Sequence, residues 1–365
     1  MPRSLLTGHG RRWHLTGTVL PSGQHRELWI AHGVIRTEPV TDAETLCTDG
    51  WIMPALVDAH CHVGLDEHGA VPVDLAEAQA VADRDAGALL LRDAGSPADT
   101  RWVDDREDLP RLIRAGRHIA RPMRYIRHYA AEVQPTDLVA EVERQVANGD
   151  GWVKLVGDWI DREVGDLAPL WPADVAGPAI DRAHQLGARV TAHTFGEQAV
   201  TELVRAGIDG IEHGTGIGPE LVAEMAERQV ALVPTLVQLE KFPAFADAGQ
   251  ARFPTYAKHI RALYHRRRAT FTMAYEAGVP IFAGTDAGGS LPHGLIGHEV
   301  AALADLFGAE YALGAGSWRA RGWLGRPAGL TEGDPADLLV FDADPRIDVT
   351  ELTRPSRVVL RGRVF

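Results

Sequence analysis

Short, almost continuously hydrophobic runs alternate with segments of helical spacing from about residue 52 to about residue 330. Strands buried on both faces have this composition, and helical crossovers are the usual connections between parallel strands. The runs are ALVDAH, ALLLRDA, ARPMRYI, WVKLV, ARVTAH, GIEH, VALVPTL and PIFAGTD. Eight parallel strands of this kind predict a closed (β/α)8 TIM barrel.

Both ends of the chain have a different pattern, in which strand-like segments are separated by turn residues. These segments are WHLTGTVL, RELWIAHGVIR, ADLLVFDADP and RPSRVVLRGRVF. We therefore predict an α/β protein with a (β/α)8 barrel domain at residues 52–329. Residues 1–51 and 330–365 are predicted to form one small β-sandwich subdomain built from both chain termini.

Three longer irregular stretches follow predicted barrel strands. They are SPADTRWVDDREDLP, GDWIDREVGDLAPLWP and VQLEKFPAFADAGQARFPTYAKH. Long loops at the mouth of a barrel often cover a binding site, so all three are candidate lids.

The composition and the net charge limit the kinds of partner that we expect for this protein. The 365 residues are 45% hydrophobic and 24% charged, as in ordinary globular proteins, and no apolar run is long enough to span a bilayer. A net charge of -13 disfavours nucleic acids and anionic membranes as partners. Two cysteines and no secretory signal lead us to expect a cytoplasmic protein that acts on a small molecule, with a homo-oligomer left open.

Side chains that can bind metal ions stand at the ends of several predicted strands. His60 and His62 are two residues apart, so a strand places both imidazoles on one face. His193, His213 and Asp286 end other strands, and barrel enzymes place their chemistry at those ends. Neutral histidines and a carboxylate suit zinc, and this set could serve one or two ions. An isolated His-x-His pair could equally be hydrogen-bonded within a core.

Lys154 is one of only three lysines among 37 basic residues, and it lies inside the apolar run WVKLV. Burial disfavours an ammonium group, so the neutral amine could add CO2 and become a carbamate that bridges two metal ions. An arginine could not do this because its guanidinium stays protonated. The alternative is an ammonium that pairs with a nearby acid such as Asp158.

Taken together, these motifs resemble the amidohydrolase superfamily, in its imidazolonepropionase-like and Xaa-Pro dipeptidase-like branch. The resemblance covers nearly the whole chain through PALVDAHCHVG, KLVGDW, AHTFGEQAV, IEHGTGI, LVPTL, AGTDAGG and GLTEGDPADLLVFDADP. It implies two divalent metal ions, expected to be zinc. The implied ligands of the more buried ion are His60, His62 and Asp286. Those of the more exposed ion are His193 and His213, and carboxylated Lys154 is the implied bridge.

The activity that this resemblance implies is hydrolysis of an amide-type C–N bond in a dipeptide, an N-acyl amino acid or a cyclic amide. A hydroxide between the two ions is the expected nucleophile, and Asp286 is expected to carry its proton to the departing nitrogen. The same nucleophile would also attack an ester, a lactone or a phosphotriester, so this class of hydrolase is an alternative.

A mononuclear deaminase and a catalytically silent binding protein represent two further classes of function. Deaminases of the superfamily usually have a glutamate at the position of Gly196, and here Glu197 stands one residue later. Lys154 at a ligand position argues against a mononuclear deaminase. A catalytically silent binding protein would keep the barrel and lose ligands, whereas every expected ligand is present.

Substrate-binding residues are harder to identify because they lie in loops. Tyr125 and His128 follow the third predicted strand and His293 follows the eighth, so these three are our candidates, with ordinary rim residues as the alternative. Arg92 and Asp93 follow the second strand, and we expect a structural pair beneath the site.

Overall fold

The computed structural model describes residues 10–365. The strands of the N-terminal half are β1 (Trp13–Val19), β2 (Gln24–Ala31), β3 (Val34–Arg36), β4 (Glu44–Pro54), β5 (Leu56–Cys61), β6 (Leu65–Asp66), β7 (Gly69–Ala70), β8 (Ala88–Asp93), β9 (Arg111–Arg114), β10 (Ile119–Ala120), β11 (Ala131–Glu132), β12 (Trp152–Val156), β13 (Asp158–Asp161) and β14 (Asp166–Pro169). Those that follow are β15 (Arg189–Thr194), β16 (Gly210–His213), β17 (Ala231–Val233), β18 (Leu338–Phe341), β19 (Arg357–Leu360) and β20 (Arg363–Val364).

Most of the helices lie between these strands. They are α1 (Val73–Asp85), α2 (Leu138–Asn148), α3 (Ala173–Gln185), α4 (Glu197–Arg205), α5 (Pro219–Glu227), α6 (Leu236–Leu239), α7 (Phe242–Gly249), α8 (Pro254–Glu276), α9 (Ile296–Phe307), α10 (Ala309–Ala315) and α11 (Trp318–Trp323). Short 3-10 helices occupy Arg101–Asp105, Pro135–Asp137 and Val349–Thr353. Within the described part of the chain, no helix has both the length and the apolar character needed to cross a membrane.

The central strands run parallel and give the chain an α/β, TIM-barrel-like fold. One sheet has the order β5-β8-β9, and a second contains β10-β12-β15-β16-β17 with β11 at its edge. Residues 280–287 lie between β17 and β5. On one side the Phe282 N–H donates to the Leu232 carbonyl at 3.0 Å, and on the other the Ala59 N–H donates to the Ala283 carbonyl at 2.9 Å.

The third predicted strand is wrong. Of the run ARPMRYI only Ala120 belongs to a strand, and the residues after it form turns. Pro122 has no N–H to donate, and Met123 has a φ of 59°, so this segment cannot continue a central strand. The strand beside β8 is instead formed by RLIR at Arg111–Arg114, which is β9.

Strands from both ends of the described chain join in one seven-stranded sheet with the order β20-β19-β18-β4-β1-β2-β3. The strand-like segments predicted at the two ends correspond to strands of this sheet. Its buried side chains form a hydrophobic cluster of their own, which includes Trp13, Leu28, Ile52, Leu338 and Val359. The sandwich arrangement and the boundaries of the subdomain stay predictions, and residues 1–9 of its predicted range lie outside the described residues.

Candidate functional site

Three potential metal ligands meet where β5 lies against residues 280–287. The Asp286 Oδ1 atom lies 3.1 Å from His60 Nε2 and 3.0 Å from His62 Nε2. The two imidazole nitrogens are 3.2 Å apart. Because these ligand atoms all lie within 4.8 Å of one another, His60, His62 and Asp286 form a group that could hold a metal ion.

Asp58 fixes the backbone of this group. Its buried carboxylate accepts hydrogen bonds from the Thr285 N–H at 3.0 Å, the Thr285 hydroxyl at 2.5 Å and the His60 N–H at 3.1 Å. The Asp286 N–H in turn donates to the His60 carbonyl at 2.7 Å. Asp286 has a φ of 60°, which is unusual for a residue with a side chain and is found most often at functional sites.

A pair of candidate ligands comes from neighbouring strands. His193 lies on β15 and His213 ends β16, and the Nδ1 atom of the first is 3.1 Å from the Nε2 atom of the second. The His213 ring centre is 5.3 Å from that of His60, so the pair adjoins the first group. His213 has a φ of 66°, and its Nδ1 atom lies 2.7 Å from the hydroxyl of Thr235.

Lys154 lies beside both groups. Its side chain is buried in β12, and its Nζ atom is 3.4 Å from His60 Nε2. Burial lowers the pKa of Lys154 to about 8. Asp158, the alternative partner, instead accepts hydrogen bonds from the N–H groups of Phe195 and Gly196 at 3.0 and 2.5 Å. The described residues include no contact between Asp158 and the Lys154 amine, so the structure gives no support to an ion pair between them.

The pKa shifts of three of these side chains favour the binding of a cation. Burial lowers the pKa of His62 to about 4 and that of His213 to about 3, which leaves both imidazoles neutral at pH 7. Burial opposes ionisation of Asp286, but the charge of His60 and hydrogen bonds from His60 and His62 hold its pKa well below the ordinary value. Neutral imidazoles and an ionised carboxylate are the forms that bind divalent metals. His62, His213 and Asp286 already have these forms, and the pKa of His60 is raised, so His60 would release a proton on binding a metal ion.

Groups behind the ligands orient the imidazole rings. The His60 Nδ1 atom is 2.8 Å from a carboxylate oxygen of Glu212, and the His62 Nδ1 atom is 2.7 Å from the Gly95 carbonyl. With these nitrogens occupied, the Nε2 atoms point to the centre of the cluster. Sequence reasoning missed Glu212, although an acidic residue in the buried strand GIEH was a signal that it needs a partner.

The expectation that Arg92 and Asp93 form a structural pair beneath the site is wrong. The Arg92 guanidinium donates to the Ala59 carbonyl at 2.7 Å and to Glu212 at 2.5 Å. The carboxylate of Asp93 accepts from the Gly95 N–H at 2.9 Å. Arg92 therefore supports the carboxylate that contacts His60, because buried charges require charged partners.

We expect the substitution Glu212→Gln to weaken metal binding by about 10- to 100-fold, the usual cost of removing a group that orients a ligand. Titration with a metal ion against a chromophoric chelator would measure this. Thr191→Val is the matched control, since Thr191 donates to Glu212 at 2.5 Å and does not contact His60. Both variants should lose stability, because each disrupts a buried hydrogen bond. Unchanged metal affinity in a folded Glu212→Gln protein would contradict the role.

A cavity of about 540 Å³ opens onto His62, His193 and Asp286. Its walls come from the turns after β10, from the hairpin β13–β14 and from the segment that runs from α6 to the start of α8. The second and third predicted lids thus line it. None of residues 96–110, the first predicted lid, is among its described lining residues.

Of the three candidates for substrate binding, the structure places one in the lining of the cavity. Tyr125 lines the cavity, with its ring centre 5.5 Å from that of His193. His128 and His293 are not among the described lining residues. His128 is exposed in a turn with a φ of 70°, and the buried His293 places its Nδ1 atom 2.7 Å from the carboxylate of Asp83 on α1. The expectation that these two histidines line the substrate cavity is therefore wrong.

The profile of the amidohydrolase family matches residues 172–365. The chain belongs to the amidohydrolase family. An uncharacterized protein of Mycobacterium tuberculosis is 57% identical to this amidohydrolase over 356 residues, which cover 97% of this chain and 96% of that protein. The resemblance to this family found in the sequence motifs is confirmed, and amidohydrolases are generally metal-dependent.

Solved structures resemble this amidohydrolase in fold. A Xaa-Pro dipeptidase with methionine bound in its active site is 21% identical, with a TM-score of 0.81 over 97% of this chain and 99% of the dipeptidase. A putative prolidase from Bifidobacterium longum is 22% identical, with a TM-score of 0.83 over 97% of this chain and 94% of the other. At these identities the similarity is one of fold.

Proposed function

We propose that this amidohydrolase cleaves an amide-type C–N bond of a small molecule at a site for two divalent metal ions. The observation that carries the proposal is the convergence of His60, His62 and Asp286 with the pair His193 and His213. Of these five, His62, His193 and Asp286 line the floor of one cavity. Membership of the family and a fold shared with a Xaa-Pro dipeptidase support an amide as the substrate.

Each ion has its own ligands in this proposal. His60, His62 and Asp286 would hold the more buried ion, and His193 and His213 the more exposed one. Zinc suits the imidazole-rich set. The neutral Lys154 amine would bond to the carbon of CO2 and release a proton to solvent, and carboxylated Lys154 would be the ligand shared by the two ions. We place this site in a barrel at residues 52–329, with residues 1–51 and 330–365 as the β-sandwich subdomain.

Bound divalent ions would polarise the scissile carbonyl and bring the pKa of water close to neutrality. Asp286 then accepts the proton of the attacking water, since its carboxylate is ionised and lines the cavity. The water oxygen bonds to the carbonyl carbon and the C–N bond breaks. Asp286 delivers its proton to the nitrogen, which leaves as an amine. Tyr125, at the wall beside His193, is positioned to contact the substrate.

The placement of Glu197 argues against a deaminase. Its carboxylate lies 2.9 Å from His259 Nε2 and 2.5 Å from the Arg266 guanidinium, both on α8. It is not among the described residues that line the cavity. A carboxylate held in this way cannot reach a substrate to shuttle protons.

The proposal is tested by metal analysis and by a substrate library. We expect about two equivalents of divalent ion per chain, as in other two-metal hydrolases. The library contains dipeptides, N-acyl amino acids and cyclic amides, each with an ester or lactone of matched shape. Hydrolysis of amides supports the proposal. Turnover of the esters or lactones alone favours the alternative hydrolase, and a chain that binds no metal would be a silent relative.

A further inference from the structure

The cavity above the candidate metal centre has aromatic walls. The Tyr125 and Trp159 ring centres are 4.9 Å apart, and both rings lie within 5.6 Å of that of His193. Phe245 and Phe253 line the cavity from the α7–α8 segment. Apolar surface of this extent favours a bulky apolar substituent, which leaves water on binding and can stack on the rings.

Arg252 is the only arginine or lysine among the described residues that line the cavity. It is exposed in the turn between α7 and α8, where its N–H donates to the Gly249 carbonyl at 3.1 Å. Its guanidinium lies 5.1 Å from the ring centre of Phe253, and the described residues include no carboxylate paired with it. The guanidinium is therefore available to an anion on a ligand.

Two of the described residues that line the cavity are acidic. Glu67 is largely exposed, and its carboxylate lies 3.5 Å from His68 Nε2. The other carboxylate in the lining, Asp286, belongs to the ligand group at the floor. The cavity thus combines a metal-binding floor, apolar walls and one available cation.

We infer that the cavity selects amides of amino acids that have a large apolar side chain and a free carboxylate, with Arg252 as the residue that binds this carboxylate. The inference rests on the proposed function and narrows its substrate class. The scissile amide lies at the floor, the side chain contacts the aromatic walls, and the carboxylate reaches Arg252. Affinity for the carboxylate comes from charge-assisted hydrogen bonds to the guanidinium.

Three substrates that share one acetyl amide test this inference. N-acetyl-L-phenylalanine has both groups, N-acetyl-2-phenylethylamine lacks the carboxylate, and N-acetyl-L-alanine lacks the ring. We expect kcat/KM for the first to exceed that for each of the others by about tenfold or more, the range that one charged hydrogen bond or one filled apolar pocket supplies. Isothermal titration calorimetry of the metal-loaded protein with N-acetyl-L-phenylalanine gives a readout that does not need turnover.

Arg252→Met should remove the preference for N-acetyl-L-phenylalanine over N-acetyl-2-phenylethylamine, because kcat/KM for the former falls. Arg205→Met is the matched control, because Arg205 is an exposed arginine on α4 that is not among the lining residues. Phe245→Ala should instead reduce the preference for phenylalanine over alanine.

The outcomes separate this inference from the proposed function. Equal rates for the three amides, or an unchanged preference in Arg252→Met, overturn the inference and leave the proposed function intact. Binding of N-acetyl-L-phenylalanine that Arg252→Met weakens, without hydrolysis of any amide, supports the inference and overturns the proposed function. If N-acetyl-L-phenylalanine is neither bound nor hydrolysed, the inference is overturned, and the proposed function is overturned with it when no amide of the library is hydrolysed either.

Discussion

Replacing Asp286 by asparagine is expected to lower kcat for the amide substrate by about 10²- to 10⁴-fold, the usual contribution of a positioned general acid and base. A carboxamide cannot take a proton from the attacking water. The native carboxylate is ionised and contacts the Nε2 atoms of His60 and His62, so it stands at the centre of the ligand group. Steady-state kinetics with metal analysis of the same sample would measure the effect.

The matched control for this substitution is Asp83→Asn. Asp83 on α1 is also buried, but its carboxylate contacts His293 Nδ1 and the Gly294 N–H and is not among the described lining residues of the cavity. An asparagine can still accept one hydrogen bond there, so kcat should change little. Near-normal turnover in Asp286→Asn with its metal ions intact would refute the proton-transfer role.

The ligand group was predictable because a few general rules acted together. The two-residue spacing of His60 and His62 placed both rings on one face of a strand. The convergence of parallel segments in a barrel-like fold brought His213, at the end of β16, and the distant Asp286, in the segment 280–287 beside β5, to the same place. None of these steps requires knowledge of a loop conformation, so the sequence was sufficient.

The surroundings of the ligands were not predictable in the same way. The contact of Glu212 with His60 joins β16 to β5, which are not neighbours in either sheet. The directions of His128 and His293 depend on a turn with positive φ in one case and on a carboxylate of α1 in the other. Such features follow from three-dimensional packing, which the hydrophobic pattern does not encode.

The third predicted strand shows that a high density of apolar residues does not always indicate a strand. The run ARPMRYI contains apolar residues at a density typical of a strand, but Pro122 and Met123 turn the backbone. Because the turn replaced a strand, Tyr125 projects into the cavity as part of its wall. The turn at Pro122 and Met123 therefore explains two results. The strand predicted for this run is wrong, and Tyr125 lies in the wall of the cavity.

Under the proposed two-metal site, Lys154→Ala is expected to remove about one of the two metal equivalents and to lower turnover at least about 10²-fold, because the proposed bridge between the ions is lost. The alanine cannot form a carbamate, but it leaves space for a small anion. Added acetate should therefore restore part of the activity in Lys154→Ala and none in Asp286→Asn. Metal analysis and kinetics with and without acetate would measure both effects.

The carbamate itself can be followed apart from activity. Protein equilibrated with 13C-bicarbonate should show a carbamate resonance by NMR that is absent in Lys154→Ala and present in Lys258→Ala, which changes an exposed lysine of α8. Since the pKa of Lys154 is about 8, the neutral amine that reacts with CO2 is more abundant above pH 8 than below it, and at equal concentrations of dissolved CO2 the resonance should form faster there. A full complement of metal and normal turnover in Lys154→Ala would show that the two ions need no bridge from this residue.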